Sequence, residues 1–210
     1  AHPIQHLQFK TRKTNNMSKL KPVGHLQVIK VYEDGSEEVH FDEQNVIVSG
    51  MGVGLAHLFA GSGASNIRDF QVLNFQVGTG GSTAAGTYGY WTFKLTTPIS
   101  EANYESAGSE SLIENLEPIE NGVKTSSTKA FVRIPYSNIQ KVRPTTVRFN
   151  LILDRNTANG LSTEIDEVGL FMRNPRGLNT PSPILVAYRP FTGLTKTSTF
   201  SLLFKWTITF

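Results

Sequence analysis

Apolar and polar residues alternate in several stretches of the chain, which is the pattern of strands with one buried face. The alternation is clearest from Phe200 to Phe210, where large apolar residues occupy every second position. A second alternating stretch runs from Val147 to Leu153, and a shorter one runs from Ala130 to Ile134. These stretches predict half-buried strands of an antiparallel sheet.

The first β-rich stretch, from Gly24 to Glu33, meets Asp34-Gly35 and continues into a second stretch that contains Val39 and Phe41. Asp-Gly between two such stretches indicates a hairpin, because both central residues of a type I′ turn need positive φ. We therefore predict a hairpin with a type I′ turn at Asp34-Gly35.

Only one segment has convincing helical spacing. Ser49 is a suitable N-cap, and Leu55, Leu58 and Phe59 follow at the spacing of one helix face. We predict one short helix that lays this apolar face on a sheet.

The pattern as a whole predicts an all-β fold. Strands separated by Gly, Pro and Asn clusters, without helices between them, indicate an antiparallel β-sandwich, jelly-roll-like in form. Residues 1–23 contain few large apolar side chains and are predicted to form an extended basic N-terminal arm. Residues 24–210 are predicted to form a single domain, since 210 residues suffice for one full core.

Composition narrows the classes of function. The chain has no cysteine, which excludes disulfides, thiolate metal sites and cysteine nucleophiles. No apolar stretch approaches the ~18 residues that span a bilayer, so we expect no membrane partner. The net charge is only +3, but it is unevenly placed, because no Lys or Arg occurs between Lys94 and Lys124.

The predicted arm is basic and needs an anionic partner. It has no aromatic residues interleaved for base stacking, so we expect no specific nucleic-acid recognition. A better-matched partner is the acid-rich interval of an adjacent subunit, with Glu101, Glu105, Glu110, Glu114, Glu117 and Glu120. We therefore predict that a subunit interface includes the cations of the arm, which are Lys10, Arg12, Lys13, Lys19 and Lys21.

Motifs for nucleotides and metals are incomplete. The glycines of residues 50–54 follow a strand, but His57 stands where a dinucleotide fingerprint requires a small residue, which favours a tight strand-to-helix turn. Residues 78–81 lack the Gly-Lys-Ser/Thr of a P-loop. His2 and His6 have i, i+4 spacing but lie in the predicted arm without the Glu of a metalloprotease. We expect no cofactor and no metal.

Carboxylates that could supply the acid and base of glycoside cleavage fall in two groups. The groups are Glu164, Asp166 and Glu167, and Glu37, Glu38, Asp42 and Glu43. Clustered acids on strands usually form a solvated face, so we predict a protein that is not an enzyme. A carbohydrate-binding surface module is a further interpretation, in which rings for sugar stacking come from Tyr88, Tyr90 and Trp91.

Four short motifs follow one another along the chain at residues 45–52 (NVIVSGMG), 75–80 (FQVGTG), 164–171 (EIDEVGLF) and 196–210. Their order resembles tailed-bacteriophage structural proteins, particularly the N-terminal attachment domains of tail and collar fibres and baseplate-type proteins. In those proteins an N-x-V strand precedes a short helix, a G-T-G loop follows, and an E-i-G-L-f strand precedes a closing strand. The resemblance spans residues 24–210.

The resemblance implies a structural component of the virion, a homo-oligomer that assembles with other virion proteins as a tail, baseplate or fibre-attachment adaptor. Gly169 would let another backbone pack closely on its strand, and Leu170 and Phe171 would add core or interface area. Because no shaft pattern follows, we expect a free-standing adaptor or baseplate component in preference to a complete fibre, with a capsid decoration protein as the alternative.

Overall fold

The structure is a computed structural model that describes residues 21–60, 70–100, 113–116, 119–120, 123–124, 129–173 and 183–210. The elements of these ranges are β1 Val23–Tyr32, β2 Glu37–Ile47, α1 Ser49–Ala60, β3 Val72–Gly78, α2 Gly81–Ala84, β4 Ile113–Leu116, β5 Ile119–Glu120, β6 Val123–Lys124, β7 Lys129–Arg133, β8 Ile139–Arg143, β9 Thr146–Leu153, β10 Ile165–Met172, β11 Ile184–Leu194 and β12 Phe200–Thr209. A single 3-10 turn, Tyr136–Asn138, precedes β8.

Ten of these strands form one antiparallel sheet in the order β4-β7-β3-β10-β11-β2-β1-β12-β9-β8, while β5 pairs only with β6. The sheet curls into a half-barrel around the larger of two buried hydrophobic clusters, in which Phe75 of β3 lies 6.3 Å from Phe204 of β12 between ring centroids. The prediction of an all-β antiparallel fold is confirmed. The more specific prediction of a sandwich with jelly-roll form is not confirmed, because the sheet is continuous.

Strand β2 makes the sheet continuous. It pairs with β1 from Glu37 to Asn45 and then passes to β11, where Val46 lies opposite Tyr188 and Ile47 opposite Ala187. These two residue pairs are the ladder that joins the two halves of the half-barrel. Side chains from both halves then meet in the core, as Phe75 and Phe204 do.

The predicted hairpin is present between β1 and β2, but its turn is not type I′. Gly35 has a φ of 82°, whereas Ala158 is the only non-glycine residue with positive φ in the described ranges. Gly35 N donates to the Tyr32 carbonyl at 3.1 Å, as in loops where a type I turn precedes a left-handed residue. Asp34 stabilises the turn through its side chain, because its carboxylate accepts a hydrogen bond from Ser36 N at 2.8 Å.

Strand β12 matches its sequence pattern closely. Phe200, Leu202, Phe204, Trp206 and Ile208 are all buried, and the residues between them are partly exposed. The strand lies between β1 and β9 and pairs with both in antiparallel register. Its apolar face therefore forms the centre of one wall of the core.

The predicted helix is present as α1, and Leu55 packs against the core as predicted, but the other two residues of the predicted face do not. Leu58 and Phe59 are 41% and 85% exposed, while Met51 and Gly54 are buried. A Cβ atom at Gly50 would overlap the Leu185 carbonyl oxygen, and one at Gly54 would overlap the Met172 sulfur. The glycines of this segment therefore allow the helix to pack closely on β10 and β11, beyond the tight turn that the sequence predicted.

Candidate functional site

Glu167, on β10, is fully buried, and its carboxylate accepts four hydrogen bonds. Three donors are backbone N–H groups, of Thr97 at 2.7 Å, Thr96 at 2.9 Å and Gly80 at 3.3 Å. The fourth is the hydroxyl of Tyr188 at 2.6 Å. Burial, together with the bond to Glu167, keeps the pKa of Tyr188 far above its ordinary value, so this hydroxyl remains a donor. The carboxylate thus fixes two loops against the sheet.

Asp166, the preceding residue, binds the start of the short helix α2. Its carboxylate oxygens accept hydrogen bonds from Gly81 N at 2.6 Å and Ser82 N at 2.8 Å. Gly81 has to lack a side chain, since a Cβ atom there would overlap the Asp166 carbonyl oxygen. Glu164, in contrast, is exposed. Asp166 and Glu167 are therefore bound by backbone amides, as structural anchors are. Glu164 and Asp166 line the same open groove.

The second acidic group lies along the exposed part of β2 and forms ion pairs across the sheet. The pairs are Glu37 with Lys205, Glu38 with Lys30 and Glu43 with Arg189, and Asp42 Oδ1 lies 2.8 Å from His25 Nε2. Hydrogen bonds from Tyr32 and Lys30 hold the pKa of Glu38 below its ordinary value. This group is therefore a solvated face with paired charges, as the sequence pattern indicated.

An open groove of about 830 Å³ lies beside this face. Arg189 lines it and donates hydrogen bonds to Glu43 and to the Tyr88 hydroxyl, the latter at 2.8 Å. Its guanidinium also lies 5.2 Å from the centre of the Phe41 ring. The cation and the aromatic rings of the groove are therefore engaged with one another. The bond to Arg189 joins the loop that carries Tyr88 to β11. No sequence motif indicated a role for Arg189.

Tyr90 and Trp91, the other two residues of the predicted sugar platform, are on the surface. Trp91 is 79% exposed, and its ring lies 4.9 Å from that of Tyr90 between centroids. Phe93, which sequence reasoning did not single out, is 71% exposed in the same loop. The loop is attached to the start of α1, because the Tyr90 carbonyl accepts a hydrogen bond from Ser49 N at 2.6 Å.

The outward face of α1 is apolar as well. The exposed residues of this helix are Gly52, Val53, Ala56, Leu58, Phe59 and Ala60, and none has a polar side chain. The helix and the aromatic loop meet where the Tyr90 hydroxyl lies 3.5 Å from the position of a Cβ atom on Gly52. We name the combination of Val53, Phe59, Tyr90, Trp91 and Phe93 the helix–loop surface. A surface helix with an apolar outer face and flanking aromatic residues is typical of a contact site.

The predicted interface residues of the 164–171 motif lie in the core. Gly169 is on β10, and a Cβ atom there would lie 2.5 Å from Leu95 Cδ1 and 2.7 Å from Leu185 Cδ1. Side chains, and not another backbone, therefore approach Gly169. Leu170 and Phe171 are buried within the same chain. In this conformation all three stabilise the domain and do not face a neighbouring subunit.

Of the predicted arm cations, Lys21 is described and is exposed. Lys10, Arg12, Lys13 and Lys19 lie outside the described residues, as do His2 and His6. Within the ranges that the structure describes, no group of three or more His, Asp or Glu side chains is arranged to hold a metal ion. No helix in those ranges is long and apolar enough to cross a membrane.

Lys196 is a buried cation that sequence reasoning did not single out. Its ammonium donates hydrogen bonds to the Thr197 carbonyl at 2.9 Å, Asn159 Oδ1 at 3.0 Å and the Arg155 carbonyl at 3.4 Å. Burial lowers the pKa of Lys196 to about 8. The side chain therefore holds the loop between β9 and β10 in place from the inside.

No family model, curated protein or solved structure matches the chain. A functional hypothesis therefore depends on the helix–loop surface, the engaged carboxylates and the order of the sequence motifs.

Proposed function

We propose that the protein is a non-enzymatic structural component of a bacteriophage particle. It would assemble with copies of itself and with other virion proteins as a tail, baseplate or fibre-attachment adaptor. The observation that supports this proposal most directly is the helix–loop surface, which exposes large apolar side chains on α1 and on a loop hydrogen-bonded to its start. The order of the sequence motifs supports the more specific part of the proposal, that the assembly is a phage particle.

The size of the helix–loop surface suits a protein partner. Phe59, Tyr90, Trp91 and Phe93 are each at least half exposed. Aromatic side chains bury 150–250 Å² each, so covering the exposed parts of these four would remove on the order of 500 Å² from water. A stable interface buries roughly 800 Å² per partner. The surface could therefore supply the centre of such an interface, with polar residues around it as the rim.

The engaged carboxylates favour assembly over catalysis. Asp166 and Glu167 bind backbone amides, and acids of β2 pair with cations on β1, β11 and β12. The same groups that could have supplied an acid and a base instead fix loops and strands. A domain whose loops are bonded to its sheet is suited to presenting a contact surface.

The proposal is tested on purified particles from the phage that encodes the chain. We expect immunogold labelling to place the protein on the particle. We also expect the purified protein to bind particle components that have been released by denaturing the particles and then dialysed. Replacing Phe59 and Trp91 together by Ser should abolish that binding. Replacing Val39, an exposed residue of β2 outside the helix–loop surface, by Ser is the matched control and should leave it intact. A protein missing from washed particles would refute the proposal.

A carbohydrate-binding surface module is a second candidate function, favoured by the exposed pair of Tyr90 and Trp91. The two rings are nearly perpendicular, at 76°, so the face of the exposed Trp91 ring would stack on a sugar while Tyr90 supports its edge. In this case Trp91→Ala should abolish binding on a glycan array, while Phe59→Ser on the helix should leave it unchanged. Binding of virion proteins with no glycan signal would eliminate this candidate.

A further inference from the structure

Strand β8 is an edge of the half-barrel. It pairs with β9 on one side, and within the described part of the chain no strand pairs with its other side. Residues 140–143 of this strand are all exposed. The outer side of β8 therefore presents backbone N–H and C=O groups with which a further strand can pair.

The outward face of this edge carries two arginines. Phe149 of β9 is buried in the core, so its neighbour Arg148 points to the opposite face of the sheet. Arg143 of β8 lies opposite Thr146, two residues before Arg148, and is therefore on that same outward face. Both arginines are exposed.

No described acid offsets these arginines. The sequence contains no Asp or Glu between residues 135 and 154. None of the described carboxylates forms an ion pair with Arg143, Arg148 or Lys141, which is a third exposed cation of the edge. The β8 edge therefore attracts an acidic partner and repels a cationic one.

The inward side of the same edge borders an apolar pocket of about 280 Å³. Ile139 of β8 lines this pocket together with Leu55 of α1 and Phe149 of β9. Gln71 and Tyr136 are its polar lining residues, and the Tyr136 hydroxyl donates a hydrogen bond to Gln71 Oε1 at 3.2 Å. A dry cavity of about 150 Å³ can hold a benzene ring, so this pocket has room for at least one large apolar side chain.

We propose that β8 accepts a strand from another protein, an extended segment in which acidic and apolar residues alternate. Successive side chains of a strand point to opposite faces, so the apolar ones would enter the pocket while the acidic ones lie beside Arg143 and Arg148. Backbone hydrogen bonds would supply affinity, and the pocket and the charges would supply specificity. The inference goes beyond the proposed virion role and concerns a surface separate from the helix–loop surface.

An acidic strand satisfies all three features of the edge at once. Nucleic acid would neutralise the arginines but would leave the backbone groups of β8 and the pocket unused. The β8 strand of a second copy would place cations opposite cations, which opposes pairing. An uncharged strand would pair with the backbone and leave Arg143 and Arg148 without acids.

A defined peptide tests the contact. It has about seven residues, with Glu at the odd positions, Leu at the centre and Val at the remaining positions, and it carries a fluorescent label. We expect saturable binding by fluorescence anisotropy and slower hydrogen exchange of the β8 amides in the complex, because pairing protects them. Replacing the central Leu of the peptide by Ser should weaken binding, because the pocket then loses its apolar occupant.

Charge reversal in the protein tests the role of the arginines. Arg143→Glu/Arg148→Glu should raise the dissociation constant of the Glu peptide at least about tenfold. A peptide with Lys in place of Glu should bind this variant and not the wild type. Lys94→Glu, which reverses an exposed cation outside the edge, is the control and should bind the Glu peptide as wild type does. Phe59→Ser/Trp91→Ser should also leave peptide binding unchanged.

Several results would overturn the inference. These are no binding at peptide concentrations up to ~1 mM, unchanged exchange of the β8 amides, and equal affinity for the Glu and Lys peptides. Displacement of the peptide by duplex DNA at equal concentration would show that the edge binds polyanions in general. Oligomers of the protein alone that dissociate in Arg143→Glu/Arg148→Glu would assign the edge to a second copy instead. A protein missing from particles would refute the virion role and leave the strand contact standing.

Discussion

Replacement of Glu167 by Gln would test whether its carboxylate anchors the loops around it. Gln has nearly the same shape, so packing against Tyr188 is kept. One carboxylate oxygen becomes an NH₂ group, however, and the other becomes a neutral acceptor. Whichever way the amide is turned, its NH₂ group faces a backbone N–H, either that of Thr96 or that of Thr97.

The cost follows from this geometry. A buried donor left without a partner costs about 1–3 kcal/mol, and a bond to a charged acceptor is worth about 1 kcal/mol more than a neutral one. With the NH₂ group toward Thr96 the Tyr188 hydroxyl can turn to accept from it, so one lost bond and the weakening of the remaining ones amount to about 3 kcal/mol. For a domain of this size each kcal/mol lowers Tm by about 2–4 °C, so we expect a decrease of roughly 6–12 °C.

Urea unfolding followed by tryptophan fluorescence measures the effect. Trp206 is fully buried while Trp91 is largely exposed, so the emission change on unfolding reports mainly on Trp206. Glu164→Gln, at an exposed position three residues away, is the control and should change the free energy of unfolding by less than about 0.5 kcal/mol. Equal stability of Glu167→Gln and wild type would show that the carboxylate does not anchor the loops.

Three further predictions concern stability. Tyr188→Phe should lower the free energy of unfolding by about 1.5–3 kcal/mol, because it removes a hydrogen bond to the Glu167 carboxylate; a loss no larger in Glu167→Gln/Tyr188→Phe than in Glu167→Gln alone would confirm that the two are coupled. The pKa of Lys196 is about 8 in the folded protein, against an ordinary value of 10.5. Between these pH values the unfolded chain binds one more proton than the folded protein, so the free energy of unfolding should rise from pH 8 to pH 10.5. Denaturant titrations should show no such rise in Lys196→Met. Gly169→Ala should cost about 1–3 kcal/mol by overpacking in thermal unfolding, whereas Gly89→Ala, where a Cβ atom meets nothing within 4 Å, should be nearly neutral.

The parts of the fold that depend on local pattern could be predicted from the sequence. Strand β12 was predictable because a strand with one buried face repeats every two residues, and its partners on both sides preserve that repeat. The hairpin was predictable because its turn needs a residue with positive φ, and Gly35 fills that position with a φ of 82°. The turn type was not, since Asp34 has two possible roles, a positive φ or a side-chain hydrogen bond, and only the structure distinguishes them.

The parts that depend on distant contacts could not be predicted. Helix α1 is apolar on both sides, so its spacing alone did not reveal that Gly50 and Gly54 face the sheet while Phe59 faces outward. The acids of the 164–171 motif suggested a site, but Asp166 and Glu167 bind backbone amides 70 to 87 residues earlier in the chain. Backbone donors leave no residue signature, because every residue except proline has one.

The position of β1 between β2 and β12 has a consequence for synthesis of the chain. β1 is made before every other described strand and β12 after all of them, yet β9 and β8 reach β1 only through β12. On the ribosome the β1–β2 hairpin can form early, but its other side stays open until translation has passed through β12. A nascent chain interrupted before that point would expose an incomplete sheet to proteases and to other nascent chains.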